Sequence, residues 1–302
     1  MTITIAINQF RDYLIIERAY SPQTISAYSR DLFEFAKHLE ATNKKDKVSQ
    51  VEQTDIVSFL AYLASTEGGK KPNSASTRGR KLASIRSYFT FLRKRKILVI
   101  NPSDDIDVPS IPIKEPDYLT KDEYLSLLQV IRESASPFFK VRDTLIVSLF
   151  LTSGLRVSEL VGLTLEDVDL VNKTINVHRK RNKHQKLPLN ESVAELFQQY
   201  LVIRPKVETQ KIFVSKKHCG LRANSVFCMV RKYLRKAGIN KNRSCHLLRH
   251  TCFSSLLANG VNLIVIQNLA AHSNLNSTKR YLHLNDTQVR SAVQTINLKG
   301  DL

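Results

Sequence analysis

The sequence predicts a mainly α-helical protein of two domains, the second with a small sheet, and three observations predict it. Apolar residues recur at three- and four-residue steps through most of the chain, the pattern of one-sided helices. A stretch with three prolines in nine positions, residues 108–116, interrupts that pattern. Beyond it, two short apolar runs flank a strongly basic turn, which reads as a hairpin. At 302 residues, 42% of them apolar, the chain can bury a core in each half.

Taken in order, Ser21-Pro22 is a helix start, with Ser21 as cap and Pro22 at the first helical position. Ile25, Tyr28, Leu32, Phe35 and Leu39 then line one face. Thr54 is expected to cap the next helix and to turn Phe59, Leu60 and Leu63 inward. After a loop over residues 67–76, a further helix buries Leu82, Ile85, Phe89 and Leu92, and its other faces carry Arg78, Arg80, Lys81, Arg86, Arg93 and Lys94. Proline removes a backbone donor and disfavours helix in the residue before it. Residues 108–116 are therefore expected to form an extended linker between a domain of residues 1–107 and one of residues 117–302.

In the second domain Thr120 and Glu123 fit a capping box. Residues 143–152 are nearly all apolar, hence a central helix; Gly154 breaks it and residues 155–162 resume. Residues 174–178 and 187–189 read as strands joined by a basic turn over 179–186, and 211–215 as a third strand. Helices are expected near 192–203, 224–237, 246–258 and 262–269, with Gly238 and Gly260 placed to end two of them.

The charge is lopsided: 46 Lys and Arg against 27 Asp and Glu, a balance of +19. The excess is +5 in residues 1–110 and +14 in the remainder. Such a surface attracts polyanions, because neutralising phosphates releases condensed counterions. On that account Arg78, Arg80, Lys81, Arg86, Arg179, Arg181 and Lys183 are candidate DNA contacts, although a basic helix face is as readily a solvated one. No apolar run approaches the roughly 18 residues of a membrane span, and no basic stretch with a long apolar run opens the chain, so a cytoplasmic protein is expected. The four cysteines have neither disulfide density nor zinc spacing and are expected to be reduced packing residues. The sequence has no GxxxxGK[ST] loop, which leaves nucleotide hydrolysis unsupported.

Several residues carry chemical potential. Arg156 and Glu159, one turn apart if helical, would let the carboxylate hold the guanidinium. His246 and Arg249 repeat that spacing around Leu247 and Leu248, which point into the core. Tyr281 follows His272 by nine residues; a phenol attacks phosphorus once deprotonated, but its ordinary pKa of about 10 demands help. Lys180 or Lys183, on the hairpin turn, can reach a groove and protonate a leaving oxygen, or serve as one more phosphate contact.

In this order, Arg, hairpin Lys, HxxR, His and Tyr, the chain resembles the tyrosine recombinases of the phage integrase family, Xer-like or transposon-encoded. The stretches TSGLRVSELVGLTLEDVD, KLPLN, HLLRHTCFSSLLANG and AAHSNLNSTKRYLHL carry the resemblance, and SPQTISAYSRDL resembles the family's DNA-clamping domain. The resemblance implies a helical SAM-like core-binding domain and a mainly helical catalytic domain with a small antiparallel sheet. It also implies that Arg156 and Arg249 bind the scissile phosphate, that His246 is a general acid–base and that His272 hydrogen-bonds the phosphate. Tyr281 would attack, Lys180 (or Lys183) would be the general acid and Glu159 would support. The implied reaction is site-specific recombination through a 3′-phosphotyrosyl intermediate and a four-way junction, for resolution or integration, without metal, cofactor or ATP. The implied partners are double-stranded DNA with specific sites and a synaptic tetramer, of one chain or mixed with a paralogue.

Residues 286–302, with Val289, Val293 and Ile296, would form a tail exchanged between subunits. The sequence departs from the family's pattern at Arg179-Lys180-Arg181, where Gly-Lys-Gly is usual, and at Ala271, usually glycine. The alternatives are a type IB topoisomerase-like enzyme that relaxes supercoils, and a non-catalytic DNA-binding regulator on the same scaffold.

Overall fold

The computed structural model describes residues 1–66, 71–107, 117–133, 136–179, 183–241 and 244–270. The chain divides into two compact units, residues 1–112 and 113–302. The proposed linker 108–116 and the tail 286–302 lie outside the described residues. Among the described residues no helix is long and apolar enough to cross a membrane.

Among the described residues the first unit is built on the α-helices α1 (Ile3–Ile16), α2 (Pro22–Asn43), α3 (Gln53–Ala64) and α4 (Ala75–Lys94). The Ser21 hydroxyl accepts from Thr24 N–H at 3.3 Å, as the Ser-Pro start predicts. Leu32, Phe35 and Leu39 from α2, Phe59 and Leu63 from α3, and Leu82, Ile85, Phe89 and Leu92 from α4 form one core with Phe10 of α1. The cap of α3 is Glu52 rather than Thr54: the Asp55 carboxylate reaches back to accept from Glu52 N–H at 2.8 Å, so the helix begins earlier.

The second unit is organised on α6 (Pro137–Ser153), which packs against α5 (Lys121–Arg132), α8 (Glu191–Ile203) and α10 (Ser244–Ala258). Thr120 and Glu123 form the expected capping box, with bonds of 3.3 and 2.7 Å. After α7 (Val157–Gly162) come β1 (Val168–Asp169), β2 (Thr174–Arg179) and β3 (Lys183–Pro188), then α9 (Ala223–Lys236) and α11 (Leu263–Ala270). Gly238 and Gly260 adopt left-handed φ values of +72° and +81° directly after α9 and α10, as expected of helix-ending glycines.

The sheet is antiparallel in the order β1-β2-β3. Two expectations change here. The third strand is 168–169; residues 211–215 instead make isolated bridges, Lys211 to Thr164 and Val214 to Gly220. The hairpin strands also run further than expected, so that Arg179 pairs with Lys183 across the ladder and neither lies in a turn. The cysteines are all free, but only Cys245 and Cys252 are packing residues, with thiols pushed by burial to about 11 and about 12; Cys219 and Cys228 are exposed.

Candidate active site

Helix α6 stops because Gly154 takes φ +57°. A Cβ there would stand 2.6 Å from the Phe253 ring, so the position has neither the room nor the backbone for a side chain. This reversal buries Leu155 and brings Arg156 to the N-cap of α7, in extended conformation. The pair Arg156–Glu159 is therefore not a helical i,i+3 contact but a capping interaction. Glu159 accepts from the Arg156 N–H at 2.7 Å and from its Nη1 at 2.7 Å.

A third partner closes on the same carboxylate. Along β2 the side chains of Ile175, Val177 and Arg179 share the inner face, because side chains alternate along a strand. Arg179 is buried, and its Nη1 donates to Glu159 Oε2 at 2.7 Å while Nη2 donates to the Leu269 carbonyl at 3.1 Å. Burial penalises the Glu159 charge. The Arg156 N–H, the charge of Arg179 and the side-chain bonds from both arginines outweigh that, and hold its carboxyl below the usual range.

Helix α10 supplies the opposite wall. Leu247 and Leu248 are fully buried, as their spacing predicts, and directly precede the buried Arg249. Its Nη1 donates to the Gly154 carbonyl and its Nη2 to the Ala270 carbonyl at 2.7 Å, with Cζ 4.7 Å from the centre of the Phe253 ring. Arg156 Nη2 donates to that same Ala270 oxygen at 3.2 Å. Two guanidinium groups from different elements thus converge on one acceptor, the carbonyl of Ala270 in α11. His246 lies one turn before Arg249 and is exposed.

The comparisons with known proteins agree in family. Residues 117–288 match the model of the phage integrase family, and residues 7–96 that of the phage integrase N-terminal SAM-like domain. The first match alone spans more than half of the chain. The chain belongs to the phage integrase family. It is 33% identical to the tyrosine recombinase XerC of Caldanaerobacter subterraneus subsp. tengcongensis, covering 95% of this chain and 85% of that one. It is 31% identical to a tyrosine recombinase of Thermosipho africanus, covering 96% and 99%. Among solved structures it resembles the Tn1549 transposon integrase in complex with transposon right end DNA, with a TM-score of 0.81, 20% identity and coverage of 98% and 99%. It also resembles the XerH site-specific recombinase bound to palindromic difH substrate, at 0.74, 20%, 91% and 80%. The SAM-like helical domain and the mainly helical second domain with a small antiparallel sheet are thus those of a tyrosine recombinase, and the protein is a site-specific recombinase.

In this recombinase the fold brings Arg156 and Glu159, from the start of α7, together with Arg249 of α10 around Ala270, and His246 stands one turn before Arg249 on α10, while Lys180, Arg181, His272 and Tyr281 lie outside the described residues. The basic residues expected at DNA divide differently. Lys183 is exposed on β3. Arg179 is no surface contact, since its strand position turns it inward onto Glu159. In α4, Lys81 is buried against Glu34, and Arg80 makes a two-pronged pair with the buried Asp31. Arg86 donates to the Ser103 and Ile106 carbonyls, and Arg78 to the Asn73 carbonyl at 2.8 Å. At these four positions the side chains make contacts within the domain, and of the four only Arg80 is exposed. Sequence reading missed Arg179 as part of the site, although its parity with Ile175 and Val177 was the available signal. The carbonyls of Gly154, Leu269 and Ala270 have no signal in sequence, since every residue carries one.

Proposed function

We propose that this recombinase cuts and rejoins double-stranded DNA at specific sites through a transient ester to Tyr281. The observation that carries the reading is the convergence of Arg156 and Arg249 on a single oxygen. Two planar forks aimed at one acceptor suit the non-bridging oxygens of a phosphodiester. A +19 chain is attracted to that polyanion before any specific contact forms.

In the proposed step the Tyr281 oxygen forms a bond to phosphorus while the bond from phosphorus to the 5′ oxygen breaks. The phenolic proton passes to a base, for which His246 is the candidate, and the 5′ oxygen receives a proton from Lys180 or Lys183. The products are a 3′-phosphotyrosyl ester and a free 5′ hydroxyl. Charge built up on the phosphate is met by the two guanidinium groups and by a hydrogen bond from His272. The ester preserves the phosphodiester's energy, so the hydroxyl of a second duplex reverses the step without a nucleotide. Two such exchanges, through a four-way junction in a tetramer, complete recombination. The tail 286–302 would link subunits there, and residues 1–107 would add DNA contacts of their own.

The test is a nicked suicide duplex that traps the covalent intermediate. Wild-type protein is expected to accumulate adduct, and Tyr281→Phe to bind DNA normally and form none, since it loses only one oxygen. Adduct mapped to another residue of the Phe variant would overturn the assignment.

A further inference from the structure

Arg179 is a buried cation beside the phosphate clamp that this reaction scheme leaves unused. Its side chain is only 4% exposed, it carries a full charge, and a cation so placed is retained at a cost in desolvation. The Glu159 carboxylate it meets already accepts two bonds from Arg156. The cluster is therefore two guanidinium groups on one carboxylate, not an ion pair. Arg179 also keeps one donor, Nε, without a hydrogen-bond partner among the described residues. Its other contact, the Leu269 carbonyl, is adjacent in the chain to the Ala270 carbonyl that holds Arg156 and Arg249.

We propose that Arg179 is a positioning residue for phosphate capture, acting on Arg156 through their shared carboxylate Glu159 and on α11 through Leu269. This rests on the reading of Arg156 as a phosphate ligand. Alone with Glu159, Arg156 would be a neutralised pair, and its fork would be drawn onto the carboxylate. Arg179 takes part of that carboxylate's charge, so the cluster keeps a positive surplus for an anion. With Arg249 added at the shared Ala270 oxygen, the site holds three guanidinium charges and the one carboxylate of Glu159. The surplus matches the extra negative charge that a phosphate gains as a fifth oxygen approaches. The second contact serves the exchange of acceptors: when a phosphate replaces the Ala270 carbonyl, the Arg179–Leu269 bond still ties α11 to the hairpin.

The experiment measures single-turnover adduct formation by the full chain on the nicked duplex, and on the same duplex with a 5′ thiol leaving group, which departs without protonation. Arg179→Met, which keeps length and removes charge, is expected to slow adduct formation by about ten- to hundredfold with DNA affinity unchanged. The thiol should not restore the rate, because the defect lies at the phosphate clamp and not at the general acid. Arg179→Lys should restore the rate in part. In a Glu159→Gln background Arg179→Met should add little, since residues acting in series are not additive. A wild-type rate, rescue by the thiol, or a fully additive effect would each overturn the proposal. If Arg179→Met fails to fold, Arg179→Lys decides: an ammonium cannot span both Glu159 and Leu269, so a wild-type rate in that variant is equally fatal. Arg156→Lys is the control. Should it cleave normally, the reading of Arg156 itself has failed; should it be inactive while Arg179→Met is normal, only the present proposal falls.

Discussion

Arg142 and Arg156 each meet a buried carboxylate in the catalytic unit, Asp143 and Glu159, and the two clusters are finished in different ways. Arg142 is sealed: its Cζ lies 5.4 and 4.7 Å from the ring centres of Phe138 and Phe139, Nη1 donates to the Val214 carbonyl, and Nη2 to Asp143 at 2.7 Å. The Tyr233 hydroxyl completes Asp143 at 2.9 Å. One cation meets one anion, and both are enclosed. Around Glu159 two cations meet one anion, and the Arg156 side chain stays 28% exposed. The carboxyl groups respond in opposite directions. Burial raises Asp143 despite the Arg142 charge, whereas the Arg156 N–H and the paired charges hold Glu159 down against burial. The first cluster ties α6 to its surroundings; the second leaves a positive charge turned toward a ligand.

The sharpest way to break this distinction is to weaken one arginine of each kind. Arg156→Lys, at the shared Ala270 acceptor, is expected to cut single-turnover adduct formation by about 100- to 1,000-fold, the scale of losing one donor to transition-state charge, while the melting temperature changes little. Arg142→Met should do the reverse. Leaving Asp143 buried without its cation costs about 3–5 kcal/mol, read as a lowered melting temperature, and cleavage per folded molecule should persist. If both variants lose stability and activity in proportion, the clusters do not differ in kind.

A pH series sharpens the same contrast at smaller scale. The Glu159 carboxyl is depressed in the folded protein, so its contribution to stability is complete above its unfolded pKa and is lost as pH falls through the folded value. The destabilisation caused by Glu159→Gln should thus be largest near neutrality and shrink in acid. Asp143 is raised, so its contribution is complete below its unfolded pKa and is lost as pH rises through the folded value. The deficit of Asp143→Asn should therefore shrink as pH rises. Thermal melts from pH 3 to 7 read both; parallel curves for the two variants would contradict the assignment.

The smallest effect expected is at the hairpin, where Lys183 and Arg179 sit opposite each other with only Lys183 exposed. Lys183→Ala should leave stability unchanged and reduce the slope of log affinity against log salt by about 0.9, the value for one phosphate contact. An unchanged slope would remove Lys183 from the DNA surface; a lost catalytic step rescued by a thiol leaving group would make it the general acid in place of Lys180.

Much of this molecule was legible in one dimension because local rules act over one or two turns. The Ser21-Pro22 start, the Thr120–Glu123 box and the stripe Leu82, Ile85, Phe89, Leu92 need only neighbours within a helix. So do the glycine stops at 154, 238 and 260, where positive φ is required. The sequence by itself also supplied the roster of candidate ligands, because Arg156, Glu159, His246 and Arg249 stand in an order that resembles the family's, although the spacing of each pair alone singles out none of them. What the tertiary structure decided is which charges are spent and which remain. Lys81 and Arg80 read as a solvated face until Glu34 and Asp31 arrive from α2, 47 and 49 residues away. Arg179 reads as a turn residue until the ladder to Lys183 turns it inward onto Glu159, 20 residues earlier in the chain. The convergence of Arg156 and Arg249 on Ala270 depends on a backbone oxygen that no sequence pattern distinguishes. Pairing of charges and backbone groups across long separations is set by how the helices pack, and helical periodicity records which face of a helix is buried, not what that face will meet.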